Sequence, residues 1–221
     1  MRVRWINFFC VALIFGMGLI SCDNKSIPKQ AISAKWNIED KNSQYSSFEF
    51  TVDNVYIVVE TLNNIHTGKY GIEGKKITLE GFGIIEIISI AVEKLIFSFM
   101  PENSNEKYEY NAMKVKNPID DSSRTAMLCR FWRVDKVNDS SYSPEIGLGV
   151  LYSKAGTYLV TQTDGTTELA EWKWGDTEET MFYYSWGHWD YENSKVNILQ
   201  LSATMLKLQE PGRTYELVLG Q

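Results

Sequence analysis

The sequence predicts an all-β protein built from two small antiparallel β-barrel or sandwich domains in tandem. Three observations lead there. Apolar and polar residues alternate with period two in several runs of four to seven residues, as in the latter part of Met205-Leu-Lys-Leu-Gln209, which is the pattern of a half-buried strand. The runs are separated by turn residues: Glu73-Gly74, Asp164-Gly165, Gly175-Asp176 and Pro211-Gly212. Asp-Gly between two strand runs is a strong hairpin signal. Finally, one succession of elements occurs twice, on either side of the polar stretch Lys116–Arg124, which contains Pro118 and reads as a linker.

Taken from the N-terminus, the chain opens on Arg2 and Arg4, continues through an apolar run from Ile6 to Ile20, and reaches Ser21-Cys22. A basic start, a short apolar core and a small residue before a cleavage point make a signal peptide. The run is shorter than the roughly 20 apolar residues of a membrane span and is broken by Asn7, Gly16 and Gly18. Leu19-Ile20-Ser21-Cys22 resembles the lipobox of bacterial lipoproteins. That resemblance implies cleavage after Ser21 and lipidation of Cys22, and attachment to a bacterial envelope membrane, with the outer membrane or cell surface favoured and the inner membrane still open. Residues 22–33 read as the lipidated Cys followed by a polar, flexible tether.

The first domain is expected over 34–116. It opens on Ala34-Lys-Trp36-Asn-Ile38 and continues with strand runs at 48–51, 54–59, 69–73, 76–80, 83–88, 94–99 and 107–113. His66 falls between two of these runs and reads as a solvated loop residue. A linker is placed at 117–127. The second domain, 128–221, opens on Arg130-Phe-Trp132-Arg-Val134 and continues at 149–153, 157–162, 168–174, 181–186, 195–201, 205–209 and 214–219. Matching landmarks include Val55-Tyr56-Ile57-Val58-Val59 against Thr157-Tyr158-Leu159-Val160-Thr161, and Tyr108-Glu109 against Tyr215-Glu216. No helical stripe of ten or more residues follows the signal segment.

The Trp-x-Val/Ile openings, together with Gly68-Lys69-Tyr70 and Gly156-Thr157-Tyr158 behind a lipobox, resemble lipocalin-like lipoproteins of bacterial envelopes, as two tandem units spanning Ala34 to Leu219. The resemblance implies barrels but transfers no catalytic residue. Strands of about six residues, roughly 20 Å long, leave little room inside, so Trp36, Tyr56, Phe97 and their counterparts are expected to fill the interiors.

The composition narrows the function. With Arg2 and Arg4 removed in the signal segment, 20 of the 22 basic residues and all 28 acids remain, a net charge of −8. Such a balance argues against a nucleic-acid partner. Of three Cys, Cys10 leaves with the signal segment and Cys22 carries lipid, so Cys129 is alone and is expected to pack as a small hydrophobe. The chain has no nucleophile elbow, no His-Glu-x-x-His and no phosphate-binding Gly loop. The carboxylates at Asp176, Glu178, Glu179, Asp190 and Glu192 lack an oxygen-ligand loop and read as solvated turns. No cofactor, metal or catalytic residue is assigned. The unusual stretch is 172–191, with eight aromatics in twenty residues. Tyr183 and Tyr184 must point to opposite faces of a strand. Trp172, Trp174, Trp186, His188, Trp189 and Tyr191 are therefore the candidate ligand-binding residues. The expected activity is non-enzymatic binding of a protein, glycan or small apolar ligand through the second domain. The alternatives are a carrier of a hydrophobic molecule inside a barrel and, more remotely, a hydrolase using His188.

Overall fold

The computed structural model describes residues 26–116 and 118–220. Two closed eight-stranded barrels follow one another. The first is built from β1 (Lys35–Ile38), β2 (Tyr45–Phe50), β3 (Val55–Glu60), β4 (Ile65–Glu73), β5 (Lys76–Leu79), β6 (Gly83–Ile90), β7 (Lys94–Pro101) and β8 (Tyr108–Lys114). The second is built from β9 (Phe131–Val137), β10 (Gly149–Tyr152), β11 (Thr157–Thr161), β12 (Thr167–Trp174), β13 (Met181–Ser185), β14 (Lys195–Leu201), β15 (Met205–Glu210) and β16 (Arg213–Leu219). Each strand pairs antiparallel with the next. Closure comes from β1 on β8, with Trp36 opposite Lys114, and from β9 on β16, with Trp132 opposite Leu219. Closure leaves no strand edge unpaired. The turn glycines predicted from sequence do their work at Gly74 and Gly165, whose φ values of +59° and +88° favour a residue without Cβ.

The two barrels repeat each other in detail. Register shifts interrupt the pairing at Ile87/Ser89 between β6 and β7, and at Ile198/Gln200 between β14 and β15. These are the same place in each barrel, and such bulges bend a sheet so that it can close. One end of each barrel is plugged by a short helix, α1 (Lys29–Ile32) or α2 (Ser123–Leu128). Trp36 donates its indole N–H to the Ile32 carbonyl at 2.9 Å, and Trp132 donates to the Leu128 carbonyl at 3.0 Å. Both Trp side chains are fully buried.

These helices correct two expectations. The tether reading does not extend to Ile27–Ser33: Ile27 and Ile32 are buried in the first barrel's core, and the Ile27 N–H donates to the Gly74 carbonyl. Nor is 117–127 a bare linker. Ile119 is buried, and the Ser122 hydroxyl caps α2 by accepting from the Thr125 N–H. Helices of one or two turns carry too few residues for a periodic signal.

The barrels also pack side by side. Val55 and Ile57 on the outer face of β3 meet Leu151 and Leu159 on the outer faces of β10 and β11. This is why Val55-Tyr-Ile-Val-Val59 is an unbroken apolar run. Tyr56 and Val58 fill the first barrel while the residues between them fill the interface. Buried Glu49 accepts a hydrogen bond from Thr157 Oγ1 at 2.6 Å across this seam, and the Asp53 carboxylate accepts from the Phe131 N–H. No described helix is long and apolar enough to cross a membrane.

Candidate ligand site

The interiors of the two barrels differ at the end away from the plugging helix. In the first, Phe82 from the short β5–β6 turn folds over the opening. Its ring stacks on His66, Phe99 and Tyr56 at centroid distances of 4.4, 5.3 and 6.0 Å. Trp36, Tyr56 and Phe97 lie inside the barrel as expected, and Phe48 and Phe99 join them. His66 is consequently not a solvated loop residue. β4 begins at Ile65, four residues before the sequence suggests, because Ile65 to Lys69 pair with β3. There His66 Nε2 lies 2.9 Å from the Glu60 carboxylate, whose pKa the Asn64 and His66 contacts hold below the usual range.

In the second barrel the equivalent loop, between β13 and β14, is long, and it carries Trp186 to the rim, where the side chain is 49% exposed. An open cup of about 200 Å³ remains below. Tyr152 and Tyr158 form its floor, their rings stacked at 5.0 Å. Tyr184 and Trp186 stand against Tyr158 at 5.6 and 5.7 Å. Leu208, Glu210 and Tyr215 complete the wall. These residues sit at alternate positions of five strands, so their side chains share the inner face, and only barrel closure gathers them.

Glu210 is the acid of the cup. Burial pushes its carboxyl above the usual range, with Arg213 opposing. Among the described residues it has neither a hydrogen bond nor an ion pair; Arg213 instead pairs with Glu145, which also accepts from Ser143. Burial likewise raises the Tyr152, Tyr158 and Tyr184 hydroxyls, so all three are neutral.

The residues singled out from sequence divide among three environments. Trp172 is core, donating its indole N–H to the Ser153 carbonyl at 2.9 Å. Trp174 is half-buried and donates to Thr125 Oγ1 at 3.0 Å, tying α2 to the barrel wall. Neither is free to meet a ligand. Trp186 alone reaches the cup. His188 is exposed in the β13–β14 loop and makes no hydrogen bond among the described residues. Trp189 and Tyr191 lie on the outer face. Their rings stack at 6.2 Å, and Lys173 Nζ lies 4.2 and 4.8 Å from their centroids. Trp186, Lys173 and Trp189 also border a broad groove of about 870 Å³ between the barrels, faced by Lys35 and Lys116 from the first. Ser21 and Cys22 lie outside the described residues.

Sequence reasoning missed Tyr152, Tyr158, Tyr184, Glu210 and Tyr215. The available signal was Glu210, an acid at an inward position next to Leu206 and Leu208. Cys129 is buried and free, and its thiol pKa is driven up by burial. Among the described residues no three His, Cys, Asp or Glu side chains group to hold a metal ion. No protein-family model matches the sequence, and neither does any curated protein.

Proposed function

We propose that this chain is a non-catalytic, lipid-anchored binding protein of a bacterial envelope, which takes a small ligand in the mouth of its second barrel. The supporting observation is the contrast between the two barrels. Phe82 caps the first, whereas Trp186 stands back from the second and leaves a cup walled by Tyr158, Tyr184 and Glu210. At about 200 Å³ the cup is smaller than the roughly 300 Å³ of a drug-sized site. It suits a ligand of a few heavy atoms rather than a lipid chain. The first barrel then serves as a filled spacer docked to the second, and lipid on Cys22 would hold both at the membrane.

Ligand-induced thermal stabilisation across a panel of small neutral, anionic and cationic compounds tests the cup. At least one class should raise Tm in the native chain and not in Leu208→Trp, which fills the cup. No shift with any class would end the reading. Mass spectrometry of the N-terminal peptide tests the anchor: a retained segment 1–21 or an unmodified Cys22 would contradict it.

A second reading places a protein or glycan partner in the groove between the barrels, since Trp189, Lys173, Lys35 and Lys116 converge there. Trp189→Ala should then abolish capture of the partner while leaving the cup intact.

A further inference from the structure

We propose that the cup of the second barrel selects a small methylated ammonium cation, seating the charge toward the Glu210 carboxylate and the methyl groups on the rings of Tyr158, Tyr184 and Trp186. This rests on the reading of the barrel mouth as a ligand site and names the class of ligand it takes.

The argument begins with charge. Glu210 lies on the inner face of β15, at the end nearest the opening, and lines the cup. A carboxylate kept partly out of water without a partner is costly, and such groups are ordinarily paired. Here the obvious partner is already engaged: the Arg213 guanidinium bonds the Glu145 carboxylate at the rim. No lysine lines the cup. A cation arriving from solution would supply the missing partner. An anion would meet the Glu210 and Glu145 carboxylates, both of which border the space.

The rings then discriminate among cations. Five aromatic side chains line it, of which Tyr152, Tyr158, Tyr184 and Trp186 are in ring contact. Tyr184 and Trp186 meet at 6.3 Å with planes 72° apart, and each is tilted by 45–49° to Tyr158. The cup therefore presents ring faces in several directions. The face of an aromatic ring is negative and attracts a cation by its quadrupole, more strongly where water is excluded. A primary ammonium is drawn to ring faces as well, but its N–H donors are strongly hydrated and give up more water on entering than methyl groups do. Methyl groups carry the charge outward over an apolar surface that packs against rings. A metal ion is disfavoured for the opposite reason: with Glu145 held by Arg213, one unpaired carboxylate and phenol hydroxyls are too few oxygen ligands.

The size agrees. About 200 Å³ accommodates a methylated ammonium head with a short arm but no acyl chain. The half-exposed Trp186 stands where that arm would leave.

The test is titration calorimetry on the full chain, with tetramethylammonium and choline as probes and 3,3-dimethylbutan-1-ol as the uncharged isostere of choline. Both cations should bind, and the isostere should bind at least tenfold more weakly. Glu210→Gln should abolish that preference by weakening cation binding about tenfold while leaving the isostere unchanged. Trp186→Ala should weaken both, and Leu62→Ser, an exposed position on the first barrel, should weaken neither. Thermal unfolding of each variant establishes that it is folded. Equal binding of choline and its isostere, or an unchanged preference in Glu210→Gln, would overturn the choice of cation and leave the cup as a ligand site. Absence of binding by every probe would overturn the inference, and the wider compound panel would then decide whether the cup is a ligand site at all.

Discussion

The Glu49 carboxylate accepts a hydrogen bond from Thr157 Oγ1 at 2.6 Å, across the seam between the two barrels, with both residues buried. The relationship joins β2 of the first repeat to β11 of the second, 108 positions apart in the chain. Buried carboxylates are tolerated where hydrogen bonds replace lost water, and removing one partner exposes the full cost of burial. Thr157→Val should therefore destabilise the chain by about 1–3 kcal/mol, because Glu49 is left unpaired. Glu49→Gln, which retains an acceptor and is uncharged, should cost less. Denaturant unfolding followed by tryptophan fluorescence measures both. Equal losses in the two variants would mean that Glu49 has another partner.

The two buried tryptophans make a matched pair of probes for the plugging helices. Trp36→Phe and Trp132→Phe each remove an indole donor from a carbonyl inside a packed end, that of Ile32 or that of Leu128, which also accepts from the Arg130 N–H. Loss of the bond and of part of the ring volume should cost about 2–3 kcal/mol at each site. The costs should agree to within about 1 kcal/mol if the two helix plugs are equivalent. The measurement is the denaturation midpoint of each variant at unchanged m.

Much of this architecture is legible from residue order. The alternation in Met205–Gln209, the turn glycines and the repeated Trp and Tyr landmarks point to two tandem all-β domains of short antiparallel strands; that each closes into an eight-stranded barrel, with Lys35–Ile38 as a strand, comes from the structure. Tyr56 and Tyr158 do fall on equivalent strands, β3 and β11. What escapes is whatever depends on the second face of a strand or on spatial convergence. Val55, Ile57, Leu151 and Leu159 look like ordinary core residues, yet they face outward and form the interface. The aromatic density of 172–191 marks a real feature but mixes three roles, because β12 and β13 contribute to the core, the rim and the outer face. Glu210 and Tyr215 reach the cup from another hairpin entirely, so no local window shows them beside Trp186.

Two carboxylates of the second barrel should drive stability in opposite directions with pH. Glu216 lies between Lys136 and Lys207, which hold its pKa down at about 2 from an ordinary 4.5. A depressed carboxyl contributes stability above the unfolded value that is lost as pH falls toward the folded value. Glu216→Gln should therefore be less stable than the native chain at pH 7, and the difference should disappear between about pH 4.5 and 2. Glu210 is raised by burial, so its folded state binds the proton more tightly and its charge weakens the fold at neutral pH. Tyr152, Tyr158 and Tyr184, raised by burial, face it as neutral groups, with Tyr215, Glu145 and Arg213 beside them. Glu210→Gln should be more stable than the native chain at pH 7, because the buried charge is removed. That gain should vanish below the unfolded value near 4.5. Thermal unfolding across pH 2–8 reads both variants. A Glu210→Gln chain less stable than native at pH 7 would show that the carboxylate is paired.

The clearest contrast between the barrels lies in the two rings at their mouths. Phe82 stacks on His66, Phe99 and Tyr56 and packs against the first core, so Phe82→Ala removes ring contacts on several sides and leaves a void above Phe99. A partly buried Phe in this position should cost about 2–4 kcal/mol. Trp186 is larger, but half of it faces water and its inner side meets only the Tyr158 and Tyr184 rings beside the open cup. Trp186→Ala should cost less than about 1 kcal/mol, although it deletes more atoms. The order of the two effects is the informative quantity, since side-chain size alone predicts the reverse. Equilibrium denaturation of the two variants at one pH decides it. If Trp186→Ala is the more damaging, Trp186 is a structural cap like Phe82, the second barrel is closed in solution, and the cup is not the place where a ligand enters.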